Sequence, residues 1–409
     1  MRNAMVVATL ICCVVAAGAD SVPVSETNAA LWIRHLIPLP KEITLERAVK
    51  LAPQNVVVVA GEGTGDVSAH AAEMLAAAIV GEDGTPAETG SFEIRLDLMR
   101  GGALAELPNW DQAYSIAPEG ESALALTAMT ERGLYYAALT LRDLIAARVR
   151  DDEVTIPLVT VTDWPDLAER GEWGGSCTRD IEWMSAHKMN LVESHVTLGV
   201  NDQGQGTAAI SPEMVQLGRL NALKVVPIIT HLEQIARTGI FEALPQTQGQ
   251  GDAEKWAKVG SVRPACWSNP DTIRVLGDWM IALAGQDGVT DICVWLSENA
   301  VKCECEKCAP QNQFALETAA ILTGYERAKQ VKPDLGLRIL LTQGSYKSNE
   351  IVLDMLPPDV GVTYYDGGKT YDSSRDPMIY PLLEDWAAEG NWLGCYPQLT
   401  ASWRIVCPW

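Results

Sequence analysis

Asp291 to Cys308 reads DICVWLSENAVKCECEKC. Ile292 to Leu296 is a short apolar run of the kind that forms a parallel strand buried on both faces. Ser297, Glu298 and Asn299 follow at its carboxyl end. In a parallel α/β barrel the residues beyond the carboxyl ends of the strands face the side where chemistry is done, so Glu298 is the first candidate for a general acid or base. A glutamate that only caps a loop is the competing reading. Further on, Cys303, Cys305 and Cys308 are spaced C-x-C-x-x-C. Cysteines in C-x-C bridge each other only with strain, whereas C-x-x-C is a metal-knuckle spacing. The expectation is a structural zinc site with Cys266 or Cys293 as fourth ligand, long-range disulfides being the alternative.

Working outward, the chain from about Ala168 repeats strand, loop and helix, as a parallel α/β architecture requires. Candidate strands are Arg170 to Trp173, Asn190 to His195, Lys224 to Thr230, Ile292 to Leu296, Leu337 to Leu341, Gly361 to Tyr365 and Asn391 to Cys395. Helices are predicted at Arg179 to His187, Pro212 to Leu220, Pro270 to Ala284, Ala315 to Val331 and Pro377 to Ala388. Seven strands fall one short of a closed (β/α)8 TIM barrel. Residues 31 to 160 read instead as a small α+β domain. Its strands lie at Asn55 to Val59, Phe92 to Leu98, Tyr114 to Ile116 and Ala123 to Ala128, and its helices at Val67 to Ile79 and Thr130 to Ala147, the latter with Leu134, Ala138, Leu141 and Ile145 on one face. Ile156 to Asp166, with Pro157 and Pro165, reads as a linker before the barrel domain at 166 to 409.

Residues 1 to 19 have Arg2, an apolar run from Met5 to Val15 and small residues at Ala17 to Ala19, the pattern of a secretory signal. The expected location is periplasmic or extracellular, with no integral membrane segment once the signal is removed. The net charge of −22 lacks the basic stripe that nucleic acid requires and disfavours anionic membranes. Thirteen tryptophans stand against three phenylalanines. Indole faces suit sugar stacking, although tryptophan is also a core filler. The chain has no phosphate-cradling G-x-x-x-x-G-K-[ST], no H-E-x-x-H and no G-x-S-x-G, so nucleotide, zinc-protease and serine-hydrolase chemistries are disfavoured.

Several stretches resemble a known family. Leu36 to Glu42 (LIPLPKE) and Tyr114 to Ile145 resemble the small N-terminal domain of family-20 glycoside hydrolases, a domain that also precedes the barrel of α-glucuronidases. Gly133, Tyr136, Thr140 and Leu141 match that domain's G-x-x-Y-G-L-x-T-L helix, with Ala137 and Ala138 in place of its inner Gly and Leu. Val161 to Gly171 (VTDWPDLAERG) is similar to the family's approach to the first barrel strand, and Ile181 to Asn190 (IEWMSAHKMN) to the helix before the second. The resemblance implies a glycosidase-like barrel acting on carbohydrate. In family-20 enzymes the fourth strand ends in Asp-Glu, the Glu acting as acid and the Asp steadying the substrate's acetamido group. Glu298 matches that Glu, but Ser297 stands where the Asp would be. The α-glucuronidase-like pattern then suggests Asp366, after the sixth strand, as the base that activates water opposite Glu298, an arrangement for inversion.

Other candidates are expected on the same rim. Arg170 offers a bidentate fork for hydroxyls or a uronate, or a structural partner for Asp163. His195 ends the second strand and His231 follows the third, both suited to hydroxyl hydrogen bonds or proton shuttling, while Gln343 follows the fifth strand and Tyr365 ends the sixth. Trp173, Trp267 and Trp295 are sugar platforms or core, Trp295 sharing a strand face with Cys293. The reading is an exported O-glycosyl hydrolase of oligo- or polysaccharides that needs no cofactor for catalysis. Its rivals are a noncatalytic glycan-binding barrel and an inactive truncated fragment.

Overall fold

A computed structural model describes residues 21–81, 84–146, 148–150, 152–173, 180–258, 263–299, 301–365 and 380–396. Two compact units divide the chain: 1–170 with 182–189 and 220–222, and 171–181 with 190–219 and 223–409.

The first unit is built on a seven-stranded sheet. Its strands are β1 (Ser21–Pro23), β2 (Glu42–Leu51), β3 (Val56–Ala60), β4 (Phe92–Leu98), β5 (Tyr114–Pro118), β6 (Ala123–Ala128) and β7 (Val154–Asp163), in the order β1-β2-β7-β5-β6-β4-β3. Helices Asp66–Val80 and Glu131–Ala146 pack against each other. Thr130 begins the second helix by offering its hydroxyl to the Gly133 N–H, and the Glu131 carboxylate caps the first by accepting the N–H of Ser68. Gly133 is required by close approach, since a Cβ there would lie 2.6 Å from both the Ala113 carbonyl oxygen and the Ala128 Cβ. This helix is buried well beyond the single face the sequence predicts, with Tyr135, Tyr136, Ala137, Leu139 and Thr140 also shielded. The extra cover comes from the unit's later segments: Ser185 Oγ donates to Tyr135 Oη at 2.8 Å, and Tyr135 Oη donates to Asn221 Oδ1 at 2.7 Å.

The predicted linker at Ile156 to Asp166 is a correction. Val154–Asp163 is a largely buried strand paired with β2 along its length. Pro157 is tolerated because β5 pairs only with 161–163, leaving the Pro157 stretch with a single neighbour. Strands β1 and β2 also went unread, because the burial of β2 does not alternate regularly. At the end of β7, Asp163 accepts from Lys188 Nζ at 3.0 Å, Tyr114 Oη at 2.8 Å and the Lys41 N–H at 3.1 Å. Both charged groups are almost wholly buried.

The second unit is a curled parallel sheet of the (β/α) barrel type. Its strands are β8 (Gly171–Trp173), β9 (Leu191–His195), β12 (Lys224–Ile229), β13 (Asp291–Trp295), β14 (Gly336–Leu341), β15 (Val360–Tyr364) and β16 (Leu393–Cys395), each parallel to its neighbours. Each lies within two residues of its predicted start, since doubly buried strands write themselves as continuous apolar runs. A hairpin of β10 (Thr197–Val200) and β11 (Gly206–Ala209) was not expected. The Asn201 side chain forms its turn by accepting the N–H groups of Gln203 and Gln205 at 3.0 and 2.9 Å. Among the described residues seven strands form the sheet. Its curl brings Trp173, on the first, within 6.3 Å of Tyr396, just beyond the seventh, measured between ring centroids.

Asn269 and Asn312 cap the helices Pro270–Ala284 and Gln313–Lys329, which lie beside each other. From the second of these, Glu317 reaches the end of β13 fully buried. It accepts the Ser297 N–H at 3.1 Å, the Ser297 hydroxyl at 2.7 Å and the Gln313 amide at 2.9 Å. Burial raises the pKa of Glu317 despite these three donors.

Two tests follow from these buried groups. Asp163→Ala strands the Lys188 charge and should cost about 3–5 kcal/mol in urea unfolding, whereas Arg47→Ala, removing an exposed pair with Glu121, should cost under about 1 kcal/mol. A raised carboxyl pKa means that the folded chain binds a proton the unfolded chain has released, so its contribution is full below the ordinary glutamate range and is lost as pH rises toward the raised value. Glu317→Gln should lower stability at neutral pH, because its amide meets the Ser297 N–H, and should flatten the decline of stability with pH by up to about 1.4 kcal/mol per pH unit. An unchanged slope would contradict this account.

Candidate functional site

The exit of β13 is fixed from both sides before Glu298 is reached. Ser297 is held by Glu317 through its N–H and hydroxyl, and its carbonyl accepts the Thr342 hydroxyl at 2.6 Å. The next N–H, that of Glu298, points to the Glu233 carboxylate, 3.1 and 3.2 Å from its two oxygens. Gly344 crosses directly over this turn, where a Cβ would fall 2.3 Å from the Glu298 carbonyl oxygen. With its backbone gripped, Glu298 keeps its side chain 28% exposed at the carboxyl end of the sheet.

His231 stands beside it. Its Nδ1 is 2.9 Å from the Leu296 carbonyl oxygen, and a carbonyl only accepts, so Nδ1 carries the hydrogen. The other ring nitrogen, Nε2, faces Glu298 Oε1 at 3.5 Å. The pair can therefore hold one proton in two ways, as carboxylic acid with neutral imidazole or as carboxylate with imidazolium. Burial raises the pKa of Glu233, the charge of His231 opposing it.

An aromatic group surrounds this pair. Trp295 is centred 5.0 Å from Trp173, 5.1 Å from His195 and 4.8 Å from His231. Tyr365 meets the edge of Trp173 at 6.2 Å. Trp295 is almost fully buried and shares the interior with Cys293 and Tyr365, while Trp173 is half-buried. His195 retains an exposed edge, yet its partial burial, with His231 nearby, lowers its pKa and favours the neutral ring.

The structure thus brings together Glu298, His231, His195, Trp173 and Tyr365. Gln343 is exposed after β14, one residue before Gly344. Asp366 lies outside the described residues. Arg170 is a correction to its expected place on the rim. It precedes β8 at the amino end, where Gly171 pairs with Leu191, and its guanidinium donates to Gln112 Oε1 and to the carbonyls of Leu167 and Lys188. Asp163 is partnered by Lys188 instead. Trp267 is buried.

Two carboxylates escaped the sequence reading. Glu233 follows β12 in His231-Leu232-Glu233, and the strand-end argument that selects His231 also reaches it. Glu317 lies inside a helix, where nothing in the local sequence separates it from a solvent-facing glutamate. Away from the rim, the sulfurs of Cys266, Cys303, Cys305 and Cys308 all lie within 4.8 Å of one another. Cys293 is not among them, being fully buried in β13. Among the described cysteines none is disulfide-bonded.

Comparison with known proteins bears on the fold. Residues 34–164 match the family model described as glycosyl hydrolase family 20, domain 2. No curated protein matches the chain. Among solved structures, the family-20 exo-β-N-acetylglucosaminidase of Vibrio harveyi is 12% identical with a TM-score of 0.63, over 89% of this chain and 61% of that one. The β-N-acetylhexosaminidase of Bacteroides fragilis is 16% identical with a TM-score of 0.61, over 88% and 74%. That of Streptomyces coelicolor is 15% identical with a TM-score of 0.58, over 93% and 76%. The chain thus spans about six-tenths of the Vibrio enzyme's length. Residues 34–164 are thus similar to glycosyl hydrolase family 20, domain 2, and the chain shares the fold of the family-20 hexosaminidases, an N-terminal domain followed by a barrel.

Proposed function

We propose that this protein is an exported glycoside hydrolase that cleaves O-glycosidic bonds of oligo- or polysaccharides, with Glu298 as general acid. The observation that carries the reading is the Glu298–His231 pair at the carboxyl end of β13, its backbone held by Glu233 and Glu317. Positioning of this kind lets a carboxyl group deliver a proton to the leaving oxygen as the glycosidic bond breaks. The Glu298 carboxylate left behind regains its proton from solvent, and His231 Nε2, the lone-pair nitrogen when Nδ1–H is bound to Leu296, can take up that proton and pass it to Glu298. Half-buried Trp173 offers a surface to a sugar, with His195 and Gln343 as hydroxyl partners, and Tyr365 packs edge-on against Trp173.

Ser297 bears on the choice of sugar. Its hydroxyl is spent on Glu317 in a fully buried position, so it is not free to orient an acetamido group. The second carboxylate in this proposal is Asp366, activating water on the opposite face of the ring. N-acetylhexosaminides, on which the similar enzymes act, remain one sugar class in the test.

The test is hydrolysis of a panel of aryl glycosides, including N-acetylhexosaminides and glucuronides. Glu298→Gln should lower kcat about 10²–10⁴-fold with the fold retained. Equal turnover by the variant would refute the assignment of the acid. Glycan binding without turnover, the same in both proteins, would identify a binding-only barrel.

A further inference from the structure

We propose that Cys266, Cys303, Cys305 and Cys308 together bind one zinc ion. Four thiolates about 2.3 Å from a tetrahedral metal lie about 3.8 Å from each other. Cys266 Sγ is 3.8 Å from the sulfurs of both Cys305 and Cys308, and no pair of the four is more than 4.8 Å apart. These separations are far from the roughly 2.05 Å of a disulfide. The four sulfurs converge with no described carboxylate or imidazole among them.

The surrounding backbone is built as a thiolate knuckle. Cys303 Sγ accepts the N–H groups of Gln250 at 3.3 Å and Cys305 at 3.4 Å. The Cys305 carbonyl turns the chain by accepting the N–H groups of Cys308 and Ala309 at 3.0 and 2.8 Å. Ser268 Oγ lies 3.1 Å from Cys308 Sγ. Such outer donors spread the charge of metal-bound sulfur and fix its direction. A tetrahedral all-sulfur set suits zinc or iron, and divalent zinc binds nitrogen and sulfur sites more tightly than ferrous iron, while cupric ion favours a tetragonal set. On binding, the four thiols release their protons to solvent and no electron is transferred.

The ion would have a structural role. Gln248 bridges to Ala265, the Cys266 N–H donates to Thr247, and the Glu304 N–H donates to Gln250. One ion would therefore join two segments, that of Cys266 and the loop that leaves Glu298, with Thr247 to Gln250 hydrogen-bonded to both.

The test is elemental analysis of protein purified without chelator. About one zinc per chain is expected, replaceable by cobalt with the visible absorption of a tetrahedral thiolate complex. Cys305→Ser combined with Cys308→Ser should retain less than roughly a tenth of the metal. Should that variant not fold, alkylation of the native chain decides: the four cysteines should resist labelling until a chelator is added, and the melting temperature should then fall. Iron in place of zinc, a mass showing paired disulfides, metal retained by the double variant, or labelling indifferent to chelator would each overturn the proposal.

Discussion

The carboxylate of Glu317 gripping the N–H and hydroxyl of Ser297 is the constraint on which the candidate site depends. A strand leaving a parallel sheet has free backbone donors and could exit in many directions. A buried acceptor on the neighbouring helix removes that freedom one residue before the side chain that matters. Glu233 then takes the following N–H, so two carboxylates anchor consecutive peptide units. The cost is desolvation of both groups, borne in exchange for a fixed turn.

This arrangement also explains the substitution that separates the chain from the family pattern it resembles. Where that pattern has an Asp aimed at substrate, Ser297 is turned inward and shares its hydroxyl with the helix behind. A side chain committed to holding the backbone cannot also meet a ligand. The position supports the turn, its hydroxyl held by Glu317.

Much of the barrel-type sheet was legible in the sequence because doubly buried parallel strands are apolar throughout, and capped helices such as Pro270–Ala284 announce their starts. The first unit was less legible. β2 lacks a clean alternation, and Pro157 disguised β7 as a linker because an edge position hides the cost of its missing donor. Within the site, Glu298, His195 and His231 were accessible to a strand-end rule, and Glu233 was within that rule's reach. Arg170 was misplaced because the rule was applied to the wrong end of its strand. Glu317 could not be found, since only tertiary packing distinguishes it. Sequence spacing brought three cysteines together but left Cys266 and Cys293 equivalent. Strand geometry separates them, by burying Cys293 within β13.

The two outermost strands of the second unit, β8 and β16, are each only three residues long. An outermost strand offers unpaired peptide groups as a template on which another chain can add, and the hazard grows with the length of that strand. Among the described residues both outer strands are brief, and the rings of Trp173 and Tyr396 meet between them. Short outer strands of this kind give another chain little template to pair with.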